Sequence, residues 1–534
     1  MIFDLLIKNG RVVDGTGSPW YVADIGIAAG KIVAVSRSPI SSEAKQSIDA
    51  AQKVVAPGFI DIHSHADLAI LREPQCLGRL RQGVTTQVIG NCGLSAAPVN
   101  PKAIMLLKTP YEATLGSYSD WNWSGVDQYF ERVGQNQIGT NIALLLGHAT
   151  FRTVAMNGVS NRQPTSDELK AMQKLIAAGL EEGAFGITTG MIYPPSCYAD
   201  TAELIVIAKA MAKKGGFYAS HIRGEGLTLL PAIQEVITIA EQAGVPGHIS
   251  HLKANSPKYW GKVNEALALI EDARRRGLDI SCDQYPYVAG SGSLGAILPP
   301  WAQEGGVAAM LERLQKTAIR QRIKAEFEIE DLPGWDNYVK AAGWDNIIIT
   351  WVKSERNKDI EGLSVAKIAA LKGKEPWDAV GDLLIEENGV VQMVAFIMNE
   401  NDVQTVMRYR GTMVGTDGIE SGGKSHPRLY GTFPRILERY VRQLHILTLE
   451  DAVRKMSSLP AARLGLSDRG VIKKGLWADL VIFDPENIEE RATYNDPLRH
   501  PAGIDYVIVN GGISIVRGES TGSYSGQILK RNNF

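Results

Sequence analysis

The chain has 534 residues, of which 45% are hydrophobic and 21% are charged, and its formal net charge is −2. This length and composition predict a globular protein with a large core and more than one domain. The small net charge argues against binding to nucleic acid or to an anionic membrane, and four scattered cysteines exclude a disulfide framework.

Both ends of the chain predict β-structure. Short apolar or alternating runs are separated by turn signals such as Asn9-Gly10. The predicted strands lie at 5–13, 23–28, 31–35, 478–484 and 505–512. We therefore expect a small β-domain built from residues 1–57 and 471–534. The chain starts without a signal-like segment and has no transmembrane stretch, which predicts a soluble, cytoplasmic protein.

The middle of the chain alternates short apolar strands with helical stretches, the pattern of a parallel sheet with crossover helices. Eight strands are predicted, near 58–63, 84–89, 141–147, 185–189, 217–221, 246–251, 278–283 and 412–417. Eight such units favour an α/β fold of the TIM type, a (β/α)8 barrel over residues 58–470. The gap before the last strand is too long for one helix, so residues 290–345 are predicted to be an insertion over the barrel mouth.

Two histidines end the first strand of this barrel. His63 and His65 are two residues apart, and residues at that spacing in a strand point to the same side. Two imidazoles that converge at a strand end are suited to a divalent metal such as zinc.

Further metal-ligating residue types occur at the ends of other predicted strands. Cys92 follows the second strand, His221 and His251 end the fifth and sixth, and Asp417 ends the eighth. The carboxyl ends of barrel strands surround one site. Each of these residues alone has an ordinary structural explanation, but together they predict a metal centre.

With these residues the chain resembles the N-acyl-D-amino-acid deacylases (D-aminoacylases) of the amidohydrolase superfamily. The resemblance covers nearly the whole chain, and its motifs are Gly90-Asn91-Cys92-Gly93, Ser220-His221-Ile222-Arg223, Ser250-His251-Leu252-Lys253, and the segments 6–15, 57–65, 193–195, 285–287, 426–428 and 475–480. The cysteine segment is the most specific of them, because many related binuclear enzymes use a carboxylated lysine where this family has a cysteine.

The resemblance implies a tightly bound zinc held by Cys92, His221 and His251, with one position left open for water. It also implies a second, weaker site lined by His63 and His65, next to the first. Cys92 would bridge the two sites, and Asp417 would lie near the second.

The resemblance further implies an enzyme that hydrolyses the amide bond of a small N-acyl-D-amino acid. Asp417 would take a proton from the attacking water and deliver it to the leaving amine, and Tyr193 would help to polarise the carbonyl. The residues implied for binding the substrate carboxylate are Lys253, Tyr287, Ser293 and Arg428.

One segment departs from the family pattern. Between Asp417 and His426, where family members carry further histidines, this chain has Gly418-Ile419-Glu420-Ser421-Gly422-Gly423-Lys424-Ser425. This change affects the expected substrate more than the expected reaction.

Two alternatives stay open at this point. One is a cyclic-amide hydrolase of the hydantoinase or dihydroorotase type, although the fourth strand ends in Thr189-Gly190 without the lysine that such enzymes carboxylate. The other is a non-catalytic scaffold with the same fold, which the retention of all the expected ligands disfavours. The preferred side chain, the acyl group and the oligomeric state do not follow from the sequence.

Overall fold

The computed structural model of the chain describes residues 2–329, 332–420 and 422–531. Residues 330–331 of the predicted insertion, Ser421 of the departing segment, and residues 1 and 532–534 of the predicted β-domain lie outside the described residues. None of the described helices combines the length and apolar character that a membrane span requires.

The described residues form 21 strands and 18 α-helices. The strands are β1 Phe3–Val12, β2 Tyr21–Ala28, β3 Lys31–Ser36, β4 Ala44–Asp49, β5 Val54–Pro57, β6 Phe59–Asp61, β7 Val84–Ile89, β8 Asn141–Leu144, β9 Leu146–Gly147, β10 Gly186–Gly190, β11 Phe217–His221, β12 Gly247–Ile249, β13 Ile280–Gln284, β14 Gly290–Ser293, β15 Ile347–Val352, β16 Val391–Ala395, β17 Thr412–Val414, β18 Leu480–Phe483, β19 Ile504–Val509, β20 Gly512–Val516 and β21 Glu519–Ser520. The helices are α1 Ala69–Arg72, α2 Leu77–Leu80, α3 Pro101–Glu112, α4 Val126–Gly134, α5 His148–Met156, α6 Ser166–Glu181, α7 Thr201–Ala212, α8 Leu229–Ala243, α9 Val263–Arg275, α10 Val307–Leu314, α11 Thr317–Phe327, α12 Tyr338–Ala342, α13 Val365–Lys372, α14 Pro376–Glu386, α15 Glu400–Arg408, α16 Arg428–Arg435, α17 Leu449–Met456 and α18 Ser458–Leu464.

A nine-stranded sheet combines strands from both ends of the chain. Its order is β21-β20-β19-β18-β5-β1-β2-β3, and β4 pairs with β1. Strand β5 is parallel to β1 and antiparallel to β18. The turn between β19 and β20 places Asn510 and Gly511 at φ values of 46° and 82°, the left-handed conformation that a two-residue hairpin turn requires.

The middle of the chain contains two sheets of parallel strands, β6-β7-β8 and β9-β10-β11-β12-β13-β17. On one side the sheets are continuous through Leu145, whose amide donates to Ile89 O at 2.9 Å. On the other side, the amide of Asp417 donates to His63 O at 2.7 Å. The prediction of an α/β fold with parallel strands and intervening helices is confirmed.

Apolar side chains fill the space on both sides of these parallel strands. One buried cluster joins residues of β6, β7, β8, β11 and β17, including Ile60, Val88, Ala143 and Met413. A larger cluster packs the strands against helices such as α6, α7, α8 and α9. The strands are therefore held rigidly, and residues at their carboxyl ends have fixed positions.

The chain between β13 and β17 leaves the parallel strands for a long excursion. It contains a three-stranded antiparallel sheet, in the order β14-β16-β15, and helices α10 to α14. These elements continue well past residue 345, where the predicted insertion ends. The chain returns through α15, which packs against α9 and precedes β17.

Candidate metal centre

The predicted metal ligands lie at, or within a few residues after, the carboxyl ends of five parallel strands. His63 and His65 follow β6 and Cys92 follows β7, whereas His221 is the last residue of β11. His251 follows β12 and Asp417 follows β17. All six side chains are buried, and the remaining residues of these strands pack into the core.

Three of these residues have an unusual backbone conformation. Cys92, His251 and Asp417 have φ values of 52°, 35° and 48°. Residues with a Cβ atom rarely adopt this left-handed region, and such conformations persist at sites where the surrounding structure enforces them. These turns bring the side chains of Cys92, His251 and Asp417 to one cluster of possible metal ligands.

The sulfur of Cys92 lies at the centre of the histidine cluster. Its Sγ is 3.3 Å from His63 Nε2, 3.7 Å from His221 Nδ1 and 3.4 Å from His251 Nε2. One thiol proton cannot satisfy three imidazoles as a hydrogen-bond donor. The contacts are better explained as ligand atoms that surround common metal positions.

These spacings fit zinc. Zinc–sulfur bonds of about 2.3 Å and zinc–nitrogen bonds of about 2.0–2.1 Å place tetrahedral donor atoms about 3.6 Å apart. Ligand atoms of Cys92, His221 and His251 all lie within 4.8 Å of one another, and so do those of His63, His65, Cys92 and Asp417. Cys92 belongs to both groups, so the side chains suit two adjacent metal ions that share its sulfur.

The charges around Cys92 favour its thiolate. Burial by itself would raise the pKa of the thiol, but the imidazoles of His63 and His251 lower that pKa well below its ordinary value. The thiolate is the form that binds metal. In contrast, burial raises the pKa of Cys282, which lies in β13, to about 12.

The buried carboxylate of Asp283 contacts three histidines. Asp283 Oδ2 lies 3.2 Å from His63 Nδ1 and 2.8 Å from His248 Nε2, and Asp283 Oδ1 accepts the amide of His251 at 2.8 Å. A carboxylate at the second nitrogen of a ligand histidine fixes the ring and its tautomer. His248 also packs edge-on against the ring of Phe217, a member of the buried cluster between the strands.

Lys253 belongs to a second buried network on the other side of the ligands. Its Nζ donates to Glu225 Oε1 at 2.5 Å and lies 2.9 Å from His251 Nδ1. Glu225 also accepts a hydrogen bond from Asn255 Nδ2 at 3.0 Å. Burial opposes ionisation of Glu225, but Lys253 and His221 lower the pKa of this carboxyl, so the pair is an ion pair.

Arg428 lies against Asp417. Its Nη1 is 2.8 Å from Asp417 Oδ2, whereas Oδ1 of the same carboxylate is 3.0 Å from His65 Nε2. Burial would raise the pKa of Asp417, but Arg428 and His63 hold it well below its usual range. Asp417 is therefore an anion with one oxygen directed to the histidine cluster.

The metal cluster opens into one cavity. Of the residues predicted to act in the site, those that line this cavity are His65, Cys92, Tyr193, His221, His251, Lys253, Ser293 and Asp417. The ring of Tyr193 packs edge-on against His221, with 5.0 Å between their centroids. His63 and Arg428 lie behind this lining.

Tyr287 is the predicted site residue that the structure places elsewhere. It does not line the cavity, and its hydroxyl donates to Glu490 Oε1 at 2.6 Å. Tyr285 lines the cavity instead, with Arg428 Cζ 4.6 Å and Lys253 Nζ 5.8 Å from its ring centroid. Both tyrosines follow the end of β13. Their side chains therefore do not point to the same face, as residues two apart in a strand would.

Besides Tyr285, sequence reasoning missed two further residues of the site, Asp283 and Glu225. Asp283 ends the predicted seventh strand, so the rule that located the other ligands could have identified it. Glu225 lies in a loop four residues after His221, and no sequence pattern connects it with Lys253.

The chain was compared with known proteins. Residues 46–515 match the amidohydrolase family. D-aminoacylase of Alcaligenes xylosoxydans xylosoxydans is 35% identical over 532 residues, which cover 99% of this chain and 98% of that protein.

Two solved structures have the same fold over the full chain. N-acyl-D-glutamate deacylase from Bordetella bronchiseptica, in complex with zinc and a phosphonate that mimics the tetrahedral intermediate, has a TM-score of 0.85, 33% identity, and coverage of 99% of this chain and 100% of that one. A D-aminoacylase structure that addresses a binuclear metal centre has a TM-score of 0.84, 35% identity and the same coverage. The prediction of a zinc-binding centre is confirmed, and this chain belongs to the amidohydrolase family.

Proposed function

We propose that this protein is a zinc-dependent deacylase of N-acyl-D-amino acids, which produces a carboxylate and a free D-amino acid. The observation that carries the proposal is that the cysteine-centred metal cluster, Asp417 and Lys253 line one cavity. A linear amide with an α-carboxylate offers its carbonyl to the metal, its leaving nitrogen to Asp417 and its carboxylate to Lys253. Membership of a family that includes D-aminoacylase supports the same reaction.

Cys92, His221 and His251 are proposed to hold the tight zinc, and His63, His65, Cys92 and Asp417 to form the weaker site. Zinc held by these residues would supply a Lewis acid for the amide carbonyl and would lower the pKa of water towards about 7. Asp417 accepts a proton from the attacking water and then delivers it to the leaving nitrogen. Arg428 orients this carboxylate by holding its Oδ2.

The substrate carboxylate is proposed to bind beside Tyr285. Lys253 and Arg428 both flank its ring, and Ser293 lines the same cavity. The Nε atom of Arg428 is buried and has no hydrogen-bond partner among the described residues, which leaves a donor for a bound anion. Tyr193, on the other side near His221, is proposed to donate to the carbonyl oxygen.

We further propose that the parallel strands form a closed (β/α)8 barrel. The hydrogen bond from Asp417 to His63 and the parallel bridge between Ser64 and Gly418 support closure between β17 and β6. The division into a β-domain of residues 1–57 and 471–534, a barrel of 58–470 and an insertion at 290–345 stays a prediction, as do the cytoplasmic location and the lack of nucleic-acid partners.

The decisive experiment compares substrates with the zinc-loaded protein. We expect hydrolysis of N-acetyl-D-methionine, with a kcat/KM at least about 100-fold lower for the L-enantiomer. The reason is that the metal, Asp417 and the carboxylate site together fix the orientation of the groups around the α-carbon. Hydantoins should not react, since β10 ends in Thr189-Gly190 without a lysine. Hydantoin hydrolysis without deacylation would favour the cyclic-amide alternative.

A Lys253→Met variant tests the carboxylate site. Removal of one partner of a buried ion pair with the substrate is expected to cost roughly 2 kcal/mol, or about 30-fold in kcat/KM, on N-acetyl-D-methionine. An N-acetyl amine of the same side chain but without the carboxylate serves as the control substrate. Any effect of leaving Glu225 without its lysine acts on both substrates, so equal losses would contradict the assigned role.

A further inference from the structure

The charged side chains among the described residues that line the cavity lie at its metal end. Among the described residues that line it, Lys253 is the single lysine or arginine, and the carboxylates are Glu225 and Asp417. Lys253 is paired with Glu225, and Arg428, behind the lining, is close to Asp417. Both cations flank Tyr285, where the proposed function places the α-carboxylate.

The part of the cavity away from the metal is lined by apolar side chains. Helix α3 contributes Leu106, Leu107 and Pro110, and helix α10 contributes Val307 and Met310. The two helices contact each other, which brings these side chains to one lobe of the cavity. The described polar lining groups outside the metal end, such as Thr114 and Gln303, are neutral.

The segment after Asp417, which departs from the family pattern, adds no charge to this lobe. Its Ile419 lines the cavity. Glu420 is turned to Arg79, with 3.6 Å between Oε1 and Nη1. The side chain of Lys424 lies beside Gly362 of the excursion.

We infer that the substrate has one carboxylate only, its α-carboxylate, and that its side chain and its acyl group are both uncharged and apolar. This inference depends on the proposed deacylase function and narrows it. A second carboxylate would enter a lobe where the described residues offer no cation to pair with it, and an unpaired buried charge is strongly unfavourable. The apolar lobe gains instead from the burial of aliphatic groups.

The test measures kcat/KM of the zinc-loaded protein for N-acetyl-D-leucine, N-acetyl-D-glutamate and the γ-methyl ester of the latter. We expect the glutamate substrate to be at least about 100-fold poorer than the leucine substrate, and the neutral ester to recover most of the difference. N-succinyl-D-leucine should likewise be far poorer than N-butyryl-D-leucine.

The outcomes separate this inference from the proposed function. Comparable values for the charged and uncharged substrates of either pair would overturn the inference and leave the deacylase function in place. A failure to hydrolyse every N-acyl-D-amino acid would contradict the proposed function itself.

Two adjacent residues of α3 provide a matched pair of variants. Leu106 lines the cavity, whereas Met105 does not and is 75% exposed. Leu106→Lys should reduce the preference for leucine over glutamate by at least about 10-fold, because the new ammonium can pair with the second carboxylate. Met105→Lys adds the same charge outside the cavity and should leave the preference for leucine over glutamate unchanged. An unchanged preference in both variants would count against the inference.

Discussion

Cys92→Ala is expected to remove the tightly bound zinc and nearly all activity. The sulfur of Cys92 lies within 3.3–3.7 Å of imidazole nitrogens of His63, His221 and His251, and Cys92 is the residue common to both proposed metal sites. Alanine leaves only two histidines for the tight site, fewer than the three protein ligands of a catalytic zinc. Elemental analysis after dialysis and kcat measured with added zinc provide the readout.

The matched control for this experiment is Cys282→Ala. Cys282 is also buried at a parallel strand, but its thiol is protonated and contacts Thr412 Oγ1 at 3.5 Å instead of histidines. This variant should keep its zinc and its activity apart from a modest loss of stability. Wild-type activity in metal-free protein, or full zinc content in Cys92→Ala, would refute the assignment.

Asp417→Asn is expected to lower kcat by about 10² to 10⁴-fold while the fold and the tight zinc remain. Asparagine has the same shape, but its amide cannot take a proton from water, and the loss of general acid–base catalysis has this magnitude. The ligands Cys92, His221 and His251 do not include Asp417, so zinc at that site should be retained.

The readouts for Asp417→Asn are kcat, zinc content and thermal unfolding. Loss of the Arg428 contact is expected to lower the unfolding temperature, because it leaves a guanidinium without its buried counterion. A kcat near that of the wild type in folded, zinc-loaded protein would exclude Asp417 as the proton carrier.

Much of the parallel-strand region could be predicted because its strands are short apolar runs bounded by turn residues. The runs at 84–89 and 217–221 match β7 and β11. Predicted metal ligands converge for the same reason, since parallel strands bring their carboxyl ends to one edge. His251 follows β12 in a left-handed turn. Its position at a strand end could be predicted from the sequence, but the direction of its side chain could not.

The groups that surround the ligands were much harder to predict. Glu225 meets Lys253 only after two loops fold against each other, and their spacing of 28 residues matches no helix or strand period. Tyr285 and Tyr287 follow β13 on an irregular path, so strand alternation does not decide which of them faces the cavity. The apolar lobe combines α3 and α10, which are separated by about 200 residues of sequence.

The nine-stranded sheet also has a consequence for how the protein is made. Strand β5 ends at Pro57 and its neighbour β18 begins at Leu480, so the ribosome must add more than 400 residues before that pair can form. At about 5 to 20 residues per second, this takes about 20 to 80 seconds. During this interval the Val54–Pro57 edge, which is buried in the finished protein, has no partner on that side. Synthesis of this chain therefore passes through a long stage with an unpaired apolar strand, the kind of surface that molecular chaperones cover.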